Sequence, residues 1–397
     1  MTDFAATRRL FDLPPGLVYL DGNSLGPLPR GARARLSREV ECEWGEKLIR
    51  GWNESGWMDL PATVGDKIAP LVGAASGTVV ASDSTSVNLH KALTAALSLA
   101  HERRVVLSDS GNFPTDLYVA QMALKALDKG HQLKVVAPEA VADAIDGSVG
   151  VLMLTEVDYR TGRRHDMKTL TSRAHDAGAI VIWDLAHSAG ALPVDVAGAE
   201  ADFAVGCGYK YLNGGPGAPA FIYVRPGIGN RIDPALAGWM GHEAPFVFDQ
   251  AYRPGAGVQR MRVGTPPILS MAALDAALDV WVGVSIEDVR VRSIELSERF
   301  IAEVEQRCPQ LVLASPRDPA QRGSQVSFRF ADGYPAMQAL IALGVIGDFR
   351  APDIMRFGFT PLYLDMDDVV RAAEALERIV RDGLWDRPEF HKRAAVT

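Results

Sequence analysis

The chain has 397 residues, 48% of them hydrophobic, enough apolar material for an extensive core shared between one large and one smaller unit. Its 41 basic and 49 acidic residues give a net charge of −8 with no basic run, which argues against a nucleic-acid partner and for a small-molecule ligand. Cys42, Cys207 and Cys308 form no CxxC pair, and no run of about 18 apolar residues occurs, so neither a disulfide framework, nor a metal site, nor a membrane span is expected, and a cytoplasmic setting is.

Residues 1–50 begin with a polar segment and a short strand at 18–20. The turn-rich DGNSLGPLP follows, then a charged helical stretch over 30–50. Trp52 sits in the polar GWNESG, where an aromatic is as often a plug as a ligand platform. At 83–100, DSTSVNLHKALTAALSLA opens on capping residues and continues with Leu89, Leu93 and Leu97 at helical spacing. Thr85 and Ser86 stand at the positive end of that helix, where free N–H groups and hydroxyls suit a phosphate.

Apolar runs at 104–107, 133–136, 149–154 and 180–184 then alternate with helical stretches. This is the pattern of a parallel sheet with helices on its faces, whose ligands gather at the carboxyl ends of the strands. Phe113, Asp116, Thr155, Asp184 and His187 all follow strand ends, so one cleft can hold them. No GxGxxG or GKS/T loop follows an early strand, which leaves nicotinamide and ATP poorly supported. Beyond 224 an irregular, aromatic region carries Trp239, His242 and Phe246. Two long helices (269–282 and 286–307) lead from it into an α+β unit with strands at 311–314, 325–330 and near 346 and 355, and a last helix over 367–382.

The stretch that organises these elements is ADFAVGCGYKYLNGGPGAPAFIYV, residues 201–224, with Lys210 on a turn between two apolar runs. Desolvation disfavours the charged ammonium, and a neutral amine condenses with carbonyls. Asp184 ends the preceding strand, so an anion for a pyridinium nitrogen and an amine for an aldehyde come from adjacent strands. That pairing suits pyridoxal phosphate. His187 would lie beside the same ring, and Tyr209 offers a phenol as an acid. Arg356 is the natural bidentate clamp for an amino-acid carboxylate, with Arg350 competing for the role; Cys207 reads as a buried small residue.

Across nearly its whole length the chain resembles the kynureninase family, within the fold-type I pyridoxal phosphate enzymes of the aminotransferase class V group. The resemblance rests on YLDGNSLGPLP (19–29), STSVNLHK (84–91), NFPTDLY (112–118), WDLAHSAGALPVDV (183–196), GYKYLNGGPGAPAFIYV (208–224), GWMGHEAPFVFD (238–249) and GTPPI (264–268). It implies a large domain with a mostly parallel seven-stranded sheet over 51–283, a smaller α+β domain over 284–397, and an N-terminal segment, 1–50, packing on the small domain. It also implies hydrolysis of L-kynurenine, or its 3-hydroxy form, to anthranilate (or 3-hydroxyanthranilate) and L-alanine.

By the same resemblance Lys210 carries the cofactor and moves the Cα proton, Asp184 pairs with the pyridinium, and His187 sits close by. Thr85, Ser86 and Tyr209 hold the phosphate, Phe113 stacks on the ring, and Asp116 and Thr155 line the same wall. Trp239 and Thr265 reach in from the partner of a homodimer. Arg356 binds the substrate carboxylate, Trp52 lines the substrate side, and Tyr209 delivers a proton to Cβ. Gly208 departs from the family pattern, in which a hydroxyl residue precedes Tyr-Lys. The alternatives are another class V enzyme such as a cysteine desulfurase, which needs a mobile catalytic cysteine, and a non-catalytic protein that binds the cofactor.

Overall fold

In the computed structural model, which describes residues 1–100 and 102–393, the short apolar runs become strands and the amphipathic stretches become helices between them. In chain order the strands are Val18–Tyr19 (β1), Val79–Ala81 (β2), Val105–Asp109 (β3), Gln132–Val136 (β4), Val149–Thr155 (β5), Ile180–Asp184 (β6), Phe203–Cys207 (β7) and Ala220–Val224 (β8). They are followed by Val312–Leu313 (β9), Gln325–Arg329 (β10), Val345–Ile346 (β11), Asp348–Arg350 (β12) and Ile354–Gly358 (β13).

Strands β2 to β8 form one seven-stranded sheet in the order β2-β8-β7-β6-β5-β3-β4. Only β8 runs against its neighbours; the pairs from β7 through β6, β5 and β3 to β4 are parallel. Every residue of β5, β7 and β8 is buried, which explains why these stretches read as continuous apolar runs rather than alternating ones. On one face the Thr85–Leu99 helix sets Leu89, Leu93 and Leu97 against Val151, Ile182, Val205 and Ile222. On the other, Leu152, Leu154, Val181 and Trp183 join the core that continues into the C-terminal region.

That region holds the antiparallel sheet β12-β13-β10-β9, backed by the helices Ile286–Arg307 and Met366–Arg381. The N-terminal segment is tied to it. β1 pairs in parallel with β11, Val18 opposite Val345, and the Thr7 hydroxyl donates to the Leu362 carbonyl at 2.9 Å.

Two local expectations are corrected and one strand is added. The helical stretch at 30–50 is broken into an α-helix at Arg30–Arg38, a wider π turn at Glu39–Trp44 and a 3-10 turn at Leu48–Arg50. The break accommodates two buried carboxylates: Glu39 takes Arg35 at 2.9 Å and the Trp57 indole N–H, and Glu43 takes Lys47 at 2.5 Å. Trp52, expected in a polar loop, lies on the short helix Gly51–Glu54 and packs edge-on against Trp57 with centroids 5.4 Å apart. β2 has no counterpart in the expected elements, because three apolar residues between polar ones carry no periodicity to detect.

Candidate active site

Because β5, β6 and β7 are parallel, their carboxyl ends open on one rim. The register sets Thr155 beside Asp184, and Asp184 beside Val205. Lys210 follows three residues after the end of β7, and its Nζ lies 2.9 Å from His187 Nε2. Asp184 is buried, with Oδ1 accepting the Ala186 N–H at 2.8 Å. Asp116, in the first turn of the Pro114–Leu127 helix, is buried opposite it, and its Oδ2 finds no donor among the described residues.

Burial pushes the Asp116 carboxyl well above the ordinary carboxylate range, and the charge of Asp184 adds to the push. Burial raises Asp184 too, but Lys210, the Ala186 N–H, Asp116 and Thr155 all pull it back. Burial thus drives both carboxyls up, Asp116 the further, while Lys210 and the neighbouring donors hold Asp184 lower.

The loop between β3 and the Pro114–Leu127 helix is pinned by Asn112. This residue accepts from the Thr155 hydroxyl and from the Phe113 N–H at 2.7 Å, and donates to Ser108 at 3.0 Å. Phe113 is thereby left 41% exposed at the rim, edge-on to Tyr159 at 5.1 Å. Asn112 sits inside the NFPTD motif, but nothing in its spacing marks it as the residue that holds the loop.

Tyr209 is half-buried, its ring centroid 5.8 Å from Lys210 Nζ, and burial raises its phenol above the ordinary value. With Ser84, Thr85 and Gly217 it lines a cavity of about 470 Å³ at the start of the Thr85–Leu99 helix. Behind that helix end, fully buried Lys91 holds Asp83 at 2.7 Å. Gly208 is explained by the same packing, since a Cβ there would lie 2.4 Å from the Pro219 carbonyl oxygen, so a hydroxyl residue has no room. Cys207 is buried with its thiol raised by desolvation, as a packing residue should be.

Not every expected residue joins this cluster within one chain. Ser86 faces a separate cavity with His90 and Met122. Trp239, 40% exposed, lines another with His242 and Phe248, and Thr265 is exposed two residues before Pro267. Trp52 is engaged with Trp57.

Arg356 is fully buried on β13. Its Nε donates to Asp348 at 2.7 Å, Nη2 to Asp348 and to Ser24 at 2.8 Å, and Nη1 to the Tyr159 carbonyl. Arg350 shares Asp348 at 2.8 Å. Asp21, from the N-terminal segment, is pushed up to about 8 by burial and by Asp348, and is therefore neutral below that pH. Asp348, Ser24 and Asp21 carried no signal for this role: their partners lie more than three hundred residues away or on the next strand.

Seven strands, one reversed, with a lysine and a buried carboxylate at the parallel strand ends and a small antiparallel sheet beyond, define the fold of the type I pyridoxal phosphate enzymes. Among solved structures the chain is similar to the apo cysteine desulfurase of Thermococcus onnurineus NA1, at TM-score 0.79 and 20% identity over 96% of this chain and 99% of that one. It is similar also to a C-DES mutant with glycine covalently linked to its PLP cofactor, at TM-score 0.81 and 17% identity over 95% and 99%. Residues 289–376 match the family model described as the kynureninase C-terminal domain. A kynureninase of Burkholderia pseudomallei strain 1106a is 50% identical over 99% of this chain and 96% of its own length, and that of Pseudomonas fluorescens is 47% identical over the same shares. The chain belongs to the kynureninase family.

Proposed function

We propose that the chain hydrolyses L-kynurenine to anthranilate and L-alanine, with pyridoxal 5′-phosphate joined to Lys210. The observation that carries this is the convergence of Lys210, His187 and the Asp184–Asp116 pair on one rim of a chain half identical to kynureninases along its length. The residues present fit the cofactor. Asp184 offers a buried carboxyl, whose charged form Lys210 favours, to a ring nitrogen, and the helix start at Thr85 opens on a cavity of about 470 Å³ for a phosphate. When bound, the cofactor supplies the electron sink for cleavage next to the substrate carbonyl.

In this reading Lys210 takes the Cα proton and returns it, and Asp184 holds the ring nitrogen charged. Tyr209, whose raised phenol keeps its proton, donates it to Cβ. Phe113 covers one ring face and Thr155 and Asp116 close the wall. Thr85 binds phosphate, while Trp239 and Thr265 reach in from a second copy in a homodimer. Arg356 receives the substrate carboxylate, and Trp52 bounds the substrate side. The division into 1–50, 51–283 and 284–397 and a cytoplasmic location belong to the same reading, which the three free cysteines support.

A cysteine desulfurase is disfavoured by its own requirement. Cys308 caps the Ile286–Arg307 helix, is buried, and has its thiol pushed up to about 11 by desolvation, the reverse of a mobile nucleophile. The test is purified protein with added cofactor and kynurenine, followed by anthranilate fluorescence. Sulfide from cysteine without anthranilate overturns the assignment.

A further inference from the structure

We propose that Gln325 is a positioning residue that fixes the ring tautomer of His187, so that Nε2 meets Lys210 as an acceptor. Gln325 opens β10, in the C-terminal region, and is fully buried. Its side-chain nitrogen donates to the carbonyls of Asp158 at 3.1 Å and Tyr159 at 3.0 Å. Two carbonyls are acceptors only, so the amide has one tenable orientation; turned over, its oxygen would face both of them without a proton. The Oε1 atom is thus aimed at His187 Nδ1, 2.9 Å away, and that contact is a hydrogen bond only if Nδ1 carries the proton.

With the proton on Nδ1, a neutral imidazole leaves a lone pair on Nε2, and there Lys210 Nζ stands at 2.9 Å. Burial and the charges of Lys210, Arg356 and Arg350 hold the ring neutral, so both nitrogens are not protonated at once. Ser327, on the same face of β10, donates to the Arg160 carbonyl at 2.5 Å. The strand therefore grips the 158–160 turn at two points and Gln325 has little freedom to rotate. The Tyr159 carbonyl also accepts from Arg356, which links this relay to the guanidinium proposed for the substrate carboxylate.

The inference deepens the proposed site and rests on it for the meaning of His187, but its test is independent of turnover. The full chain, with isotope-labelled histidine nitrogens, is observed by NMR with and without pyridoxal phosphate, His187 being assigned by comparison with His187→Gln. The expected result is a protonated Nδ1 and a bare Nε2 in the wild type. Gln325→Leu should lose that preference and lower kcat about tenfold. Gln325→Glu should keep the proton on Nδ1, because one carboxyl oxygen still accepts from it while the other, facing the Asp158 and Tyr159 carbonyls, carries a proton of its own. A proton on Nε2 in the wild type, or an unchanged Nδ1 proton in Gln325→Leu, overturns the proposal. If Gln325→Leu does not fold, the wild-type and Gln325→Glu spectra decide it, loss of the Nδ1 proton in the latter counting against. Failure of kynurenine hydrolysis with the tautomer as expected would count against the proposed function alone.

Discussion

The two halves of the cleft are built by different means. The lysine corner is assembled from neighbouring strand ends of one sheet, where register alone sets Thr155 beside Asp184 and places Lys210 a few residues beyond Val205. The arginine corner is assembled from segments more than three hundred residues apart, with Ser24 and Asp21 brought to Asp348 and Arg356 by charge and hydrogen bonds. Backbone geometry carries the first and side-chain electrostatics carries the second. Mutations should therefore separate chemistry from stability differently in the two places.

The largest expected effect is at Lys210. Lys210→Ala should lower kcat at least about a thousandfold, read by anthranilate fluorescence, with a smaller change in melting temperature than Arg356→Met, since the lysine is half-buried and its hydrogen bond goes to His187. Next, Asp184→Asn should cost about a hundredfold in kcat by removing the carboxyl that Lys210 favours in its charged form, whereas Asp116→Asn should stay within about threefold because burial pushes Asp116 the further towards its neutral form. Equal losses from both would show that the two carboxyls do not divide in this way.

In the arginine corner, Arg356→Met should act on stability as much as on KM. It leaves Asp348 buried without its chief partner, a loss of about 3–5 kcal/mol that a melting curve would report. Unchanged melting with a raised KM would mean that the guanidinium belongs to substrate alone. The mildest effect concerns pH. Below about 8 Asp21 is neutral, and Arg350 and Arg356 outnumber Asp348; above it, the Asp21 anion cancels the surplus. KM should rise as pH passes through about 8, and Asp21→Asn should flatten that rise. The sign for folding is the same: a carboxyl raised in the folded state stabilises most at low pH, and that contribution is lost as pH climbs towards about 8.

The same division decides what could be read without coordinates. Lys210, Asp184, His187, Thr155 and Asp116 announce themselves because apolar runs of strand length are local signals, and ligands collect where such strands end. The six strands other than three-residue β2 followed from the same runs, whereas the full count of seven came from the family resemblance. Arg356 was legible as an arginine of the C-terminal region but not as a buried one, since its partners Ser24 and Tyr159 are contributed by remote turns. Gln325 looked like the first residue of a strand and nothing more. The break at 39–44 follows from buried Glu39 and Glu43, whose burial no local pattern reveals.

The reversed strand β8 has a consequence for how this family can vary. A chain that leaves β7 and returns antiparallel never has to travel to the opposite end of the sheet, so the 208–219 connection stays on the side of the lysine, Tyr209 and Gly217 lining the cavity there and Tyr211 and Leu212 buried in the core. Substitutions at its lining positions, Tyr209 and Gly217, would reshape the entrance around the lysine, while Tyr211 and Leu212 anchor the same connection to the layers beneath, so ligand preference can drift at its rim alone.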